Sequence, residues 1–176
     1  MKKKIFIIIF LSFNFYTTAP YTNEIEIYAD SIDQDLNGNI VAKGNVKVID
    51  GEKILTSNIV VVNKNQGIII LPKEFNYKDE TDNYYYGTSG EFSTDFENAE
   101  INNIKMLLNE GSRIVGKKGY KTGMQDLIYK GVFSPCKSKI KLKNFICPIW
   151  QIEGEKILHD RGSLFIHTKH AKMRIF

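Results

Sequence analysis

The chain has 176 residues, with 24 lysines and arginines against 20 acids and a formal net charge of +4. Lys2, Lys3 and Lys4 stand in a leading stretch, residues 1–22, that holds no acid, so without it the balance is +1 and charge makes no case for nucleic acid. About 150 residues then remain, enough for one domain with its own core but too few for a large outer-membrane barrel. The chain is also rich in Lys, Asn and Ile, whose AT-rich codons weaken charge arguments further.

The leading stretch reads as a signal peptide. After the three lysines, Ile5 to Phe15 is apolar except for Ser12 and Asn14. That is the length of a signal core and short of the ~20 residues of a spanning helix. An uncleaved anchor is the alternative. The cut is expected between Thr18 and Asn23, and no nearby cysteine offers a lipid attachment point.

The rest of the chain reads as strands. Glu24-Ile25-Glu26-Ile27-Tyr28 alternates strictly, with Ile25 and Ile27 on one face. Ala29-Asp30-Ser31-Ile32 leads through Asn37-Gly38-Asn39 into Ile40 to Val48. Asn37-Gly38 is expected to supply the positive backbone angles of a tight hairpin. Val46 and Val48 share a face, and Asp50-Gly51 turns again. Thr56-Ser57-Asn58-Ile59 then leads through Asn65-Gln66-Gly67 into Ile68-Ile69-Ile70, partly repeating the first pattern. Ile59 to Val62 and Ile68 to Leu71 are apolar on both faces, as in strands covered on both sides or facing a partner. Short strands punctuated by glycine turns and repeated along the chain predict stacked β-turns of a solenoid or rolled sheet.

Lys78 to Asn83 reads as a loop, and Tyr84 to Gly87 resumes extended structure. Ala99 to Leu108 is the one stretch where a short helix competes; the turn-like flanks Asn98 and Gly111-Ser112 favour strand. Further strands are expected over 113–115, 127–133, 149–152, 157–158, 164–166 and 171–175, with His159-Asp160-Arg161-Gly162 as a turn. His167 and His170 are expected to be exposed. Trp150 reads as a core anchor or as a cap on a groove.

Enzymatic signatures are missing. There is no Gly-x-Ser-x-Gly, no His-Glu-x-x-His and no phosphate-binding glycine loop, so neither catalysis nor a cofactor is expected. Two cysteines without a suitably spaced histidine make a poor zinc site.

Ala29-Asp30-x-Ile32, the Gly38 turn and Ala42-Lys43-Gly44-Asn45-Val46-x-Val48 resemble the OstA-type domain of lipopolysaccharide transport proteins. That domain occurs in the periplasmic bridge LptA and at the amino terminus of the outer-membrane assembly protein LptD. Three later pieces resemble the LptD region: Met106 to Arg113, Ser134-Pro135-Cys136, and Pro148-Ile149-Trp150-Gln151-Ile152 followed by His159-Asp160. The resemblance covers roughly residues 24–176. In the family the chain continues into a large barrel, whereas this one stops at Phe176; a fragment, a split gene or a free-standing domain is the expectation.

The resemblance implies an all-β, elongated β-jellyroll (a β-taco) of stacked antiparallel strands over residues 23–135, continued by a cysteine-containing stretch, 136–176. It implies an exported, periplasmic protein at the outer membrane that shields lipopolysaccharide acyl chains in a groove. Partners would be an LptA-like bridge joined by edge-strand pairing and an outer-membrane barrel or lipoprotein. Ile25, Ile27, Val46, Val48, Ile59, Val61, Ile68 and Ile70 are the candidates for inward, groove-lining positions. A stand-alone LptA-like bridge, or a structural β-solenoid that binds no lipid, are the alternatives.

In an exported protein two cysteines usually form one disulfide. Cys136 and Cys147 would close a short loop worth about 2–3 kcal/mol in the chain-entropy picture. The alternative is pairing with cysteines of a barrel, as in some family members. Between the two cysteines, Lys137, Lys139, Lys141 and Lys143 alternate with other residues and would share one strand face. That face is either solvated or set against lipid A phosphates.

Overall fold

The computed structural model describes residues 25–135 and 150–175, which are all strand and turn with no helix among them. Every strand pairing is antiparallel, and the architecture is an elongated β-jellyroll. The chain runs back and forth in bent rungs. β1 (Glu26–Tyr28) and β2 (Ser31–Gln34) make the first rung, and β3 (Ile40–Asp50) and β4 (Lys53–Asn63) each span one alone. Four bent pairs come next: β5 (Ile68–Leu71) with β6 (Phe75–Lys78), β7 (Tyr84–Gly87) with β8 (Ser89–Ser93), β9 (Asn98–Asn102) with β10 (Lys105–Leu107), and β11 (Arg113–Val115) with β12 (Lys118–Thr122). β13 (Gln125–Ser134) and β14 (Trp150–Asp160) again span alone, and β15 (Phe165–Lys169) with β16 (Lys172–Ile175) makes the last described rung.

Each rung contributes one segment to each of two facing walls. One wall runs β2, β3, β4, β5, β8, β9, β12, β13, β14, β15; the other runs β1, β3, β4, β6, β7, β10, β11, β13, β14, β16. The walls meet at a crease where the rungs bend. Their outer rims are the turns that join successive rungs, and these form two lips.

The sequence motif that carried the family resemblance is the crease between the first two rungs. Asp30 N–H donates to Gly44 O at 2.9 Å, and Asn45 Nδ2 donates to Asp30 Oδ2 at 3.0 Å. Gly44 and Asn45 both have positive φ, 74° and 45°. A Cβ on Gly44 would stand 2.2 Å from Asp30 Oδ2, so only glycine fits. The register slips by one residue here, Lys43 facing Ile59 and Val46 facing Ser57, which is a β-bulge that bends β3 across the crease.

Side-chain alternation gives each wall one inward face. On the second wall a row of in-register neighbours runs Ile27, Val48, Leu55, Tyr77, Tyr85, Met106, Ile114, Phe133, Ile152, Met173, from the first rung to the last. On the first wall Ile40, Val62, Ile69, Phe92 and Ala99 begin the facing row. The walls touch through aromatic rings: Phe75 and Phe92 meet edge-on at 5.5 Å, and Tyr77 stacks on Phe96 at 5.3 Å. All four rings are essentially inaccessible.

Local expectations fared unevenly. The 99–108 stretch is two short strands, in line with the strand expectation, and the loop expected over 78–83 is a turn over 79–83, Lys78 being the last residue of β6. Asn37-Gly38 is not a two-residue hairpin. Only Gly38 has positive φ, and the turn is five residues long, Asp35 to Asn39, with Gly38 N–H donating to Asp35 O. Of the expected segments 149–152 and 157–158, residues 150–152 and 157–158 belong to one strand, β14, while Ile149 lies outside the described residues; His159 is the buried penultimate residue of β14 instead of a turn residue. The turn begins at Arg161, because His159 still pairs across with both Asp126 and Ile166.

Candidate functional site

The inward face is the candidate cargo path, and its mouth lies between the two lips. Over the middle rungs that mouth is shut. At one place Lys53 Nζ reaches from one lip to Asp95 O at 2.9 Å and Glu97 at 3.6 Å on the other. Phe96, in the same turn with φ of 60°, drops its ring onto Tyr77. The buried Lys121 ammonium donates to Phe96 O at 2.9 Å and holds the turn from beneath. Burial, reinforced by the neighbouring Arg161 charge, lowers the Lys121 pKa.

A second closure is ionic. Asp79, wholly buried in the β6–β7 turn, accepts N–H groups from Thr81 and Asn83 and the Nδ2 of Asn83, all within its own turn. Arg161, in the turn after β14, crosses between the lips and donates Nη1 to Asp79 Oδ2 at 3.1 Å. Its Nε lies 3.6 Å from Asp126, and its Nη2 binds Gly123 O. Tyr85 Oη donates between the Asp79 and Asp126 carboxylates at 3.3 Å, and His159 Nδ1 lies 3.0 Å from Asp126. Burial works against the Arg161 charge, but Tyr85, Asp126 and Asp79 outweigh it and raise the guanidinium pKa. Burial first, then Asp126, drives the Tyr85 hydroxyl well above the usual phenol range, so it stays a donor.

Beyond this clasp the lips part. A cavity of about 420 Å³ lies between them, with Thr81, Asn83 and Asn109 on one side and Met124, Leu164 and Ile166 on the other. His159 and Arg161 form its polar floor. The last rung leaves its apolar side chains uncovered: Leu164 is 86% exposed, Ile175 76% and Met173 57%. β15 and β16 each pair only with β14 among the described strands, so within the described residues they are edge strands. Trp150 is half-buried, its ring 6.1 Å from Phe133 on the inner row.

The groove candidates divide. Val46 and Val48 are buried inward and Ile27 packs against them, while Ile25 is exposed at the rim. Ile59, Val61, Ile68 and Ile70 sit half-buried on the opposite, outer face, where Val41, Val61, Ile70 and Glu91 form a cross-strand row. The inward residues of those runs are Val60, Val62, Ile69 and Leu71. A run apolar at every position carries no parity, and one residue of slip exchanges the faces. Cys136, Cys147 and the four alternating lysines lie outside the described residues, as does the signal stretch.

The clasp was not legible as such: Asp79, Tyr85, Lys121, Asp126, His159 and Arg161 are spread over 82 residues. One signal did exist, since Asp79-x-x-x-Asn83 repeats Asp35-x-x-x-Asn39.

No protein-family model matches this chain, and no curated protein matches it. Among solved structures it is similar to LptH from Pseudomonas aeruginosa, described as the LptA-homologous periplasmic component of the lipopolysaccharide transport device. The identity is 18%, the match covers 88% of this chain and 96% of that one, and the TM-score is 0.48.

Proposed function

We infer that this protein is a periplasmic carrier in lipopolysaccharide transport, holding acyl chains along its inward face and passing them on at the carboxy-terminal end. The observation that carries the reading is the unbroken inward row from Ile27 to Met173, buried in the middle rungs and uncovered at the last one. Burial is worth about 0.8 kcal/mol per CH₂ and has no directional demand, so a lipid can move along such a row without a shaped pocket. The open edges of β15 and β16 suit edge-strand pairing to a neighbouring module of the same kind. The Pro135-Cys136 and Trp150-Gln151-Ile152 motifs favour a domain that precedes an outer-membrane barrel over a stand-alone bridge. A long β-rich reading frame directly downstream would decide between these. Pairing of Cys136 with Cys147 belongs to the same reading; two free thiols by mass analysis of periplasmic protein would remove it.

The filled middle supports a second reading, a structural module without cargo. Rings of Phe75, Tyr77, Phe92 and Phe96 occupy the space an acyl chain would need. A photo-crosslinker separates the two. Placed at Ile166 or Met173, on the inward face of the last rung, it should capture lipopolysaccharide in cells. Placed at Ile59 or Lys47, on the outer face, it should not. Equal capture at all four sites, or none at Ile166 and Met173 in a folded protein, would leave the structural module standing.

A further inference from the structure

The rungs stack in sequence order, so charge along the sequence is charge along the long axis. Residues 25–115 carry fifteen acids against eight lysines and arginines. The described residues of 116–175 carry four acids against nine lysines and arginines. One end of the molecule is acidic and the other basic, although residues 23–176 together carry a net charge of only +1.

The basic end has an ordered outer face. Lys118, Tyr129, Lys156 and Lys169 are in-register neighbours across four strands, β12 to β15. Lys156 Nζ lies 4.9 Å from the Tyr129 ring centre and Lys118 Nζ 5.2 Å from that of Tyr120, and the two rings meet edge-on at 5.8 Å. Phe165, 62% exposed, continues the same outward face of β15. On the outer side of the other wall Lys172 stands across from Glu153. The carboxylates there are already engaged: Glu100 with Lys118, Glu153 with Arg174 and Glu155 with His170. Lys156, Lys169 and Lys172 have no ion-pair partner among the described residues.

We propose that the outer surface of the carboxy-terminal rungs, on both sides of the crease between β15 and β16 that Lys169 and Lys172 flank, docks on the surface of an anionic lipid bilayer. Lysines spaced along strands meet headgroup phosphates, and tyrosine and phenylalanine rings beside them sit at the level where amphipathic rings are favoured. The acidic far end is repelled by the same surface, so the long axis is oriented with its open end toward the membrane. Docking of this kind goes beyond the cargo reading, since it concerns the outside of the walls and not the inward row.

The test is co-sedimentation of the mature chain with vesicles of phosphatidylcholine alone or phosphatidylcholine with phosphatidylglycerol, all free of lipopolysaccharide so that the groove's cargo is not in the readout. Binding is expected only to the anionic vesicles, and it should be released in 1 M salt, where the screening length is about 3 Å. Lys156→Glu/Lys169→Glu/Lys172→Glu should lower the partition coefficient by at least about a hundredfold, from roughly fivefold for each surface lysine lost and more for each charge reversed. Lys43→Glu/Lys47→Glu/Lys64→Glu changes the net charge equally at the acidic end and should leave binding within about twofold, since distant charges are screened. Circular dichroism and melting of both variants establish that they are folded. Equal binding to neutral vesicles, or equal losses from the two triple variants, would overturn the proposal. So would sedimentation showing that the basic face instead pairs with the acidic end of a second copy while vesicles stay unbound.

Discussion

Two turns in this molecule are built alike and serve differently. In 35–39 and in 79–83 the first residue is aspartate and the last asparagine. In each, the aspartate accepts the backbone N–H two and four residues on and the asparagine Nδ2, while its own N–H donates to the asparagine carbonyl. The fourth residue is in the left-handed region in both, Gly38 at 80° and Asp82 at 61°. Asp35 spends its carboxylate on that turn alone. Asp79 is buried and also receives Arg161 and Tyr85 from other rungs. A local code that makes a turn has been reused as the anchor of a clasp, and only the surroundings differ.

The largest expected difference comes from removing the two carboxylates. Asp79→Ala leaves Arg161 buried without its main partner and should cost about 3–5 kcal/mol in urea denaturation, the range for breaking a buried ion pair. Asp35→Ala loses the same turn bonds in water and should shift the midpoint by a small fraction of that. Equal losses would mean that the turn, not the clasp, carries the energy.

A smaller effect is expected when both partners are removed together. Arg161→Met combined with Asp79→Asn should destabilise by less than the sum of the two single changes, with a coupling of about 1–3 kcal/mol. Strict additivity in that cycle would show that Arg161 and Asp79 do not act as a pair. Tyr85→Phe removes the hydroxyl shared by two carboxylates and should cost about 1.5–3 kcal/mol on the same scale.

The smallest effect is with pH. The Asn39 side chain, then its backbone, lower the Asp35 pKa, and Ser93, then the Glu97 backbone, lower that of Asp95. Both folded values lie below the unfolded value near 3.8. Their stabilisation is therefore complete above that pH and fades as the pH falls through the folded values. Carboxyl NMR should show both titrating below about pH 4 and the lip turns loosening there; midpoints at or above the ordinary value would contradict the hydrogen bonding described.

Much of the fold could be read from the sequence, because strand and turn are local matters. Strict alternation in Glu24 to Tyr28 and the glycines after Asn37, Asp50 and Gln66 marked rungs and lips. Ala29-Asp30 and Lys43-Gly44-Asn45 stood out in the sequence only as a motif; that they form a crease, whose geometry only a glycine satisfies, came from the structure. The inward face of Val46 and Val48 was legible because lysine and asparagine stand between and beside them.

The faces of 59–62 and 68–71 were decided by tertiary structure. Each position there is apolar, so nothing in the run separates Val60 from Val61, and the bulge opposite Asn58 sets the parity. The clasp likewise required the fold, since Asp79, Asp126 and Arg161 meet only when rungs far apart in sequence stack. A buried charge is tolerable only with a partner, and the partner of Asp79 lies 82 residues away. Local patterns determined where the chain turns; which turns carry the closure was settled by what the stacked rungs brought within hydrogen-bond reach.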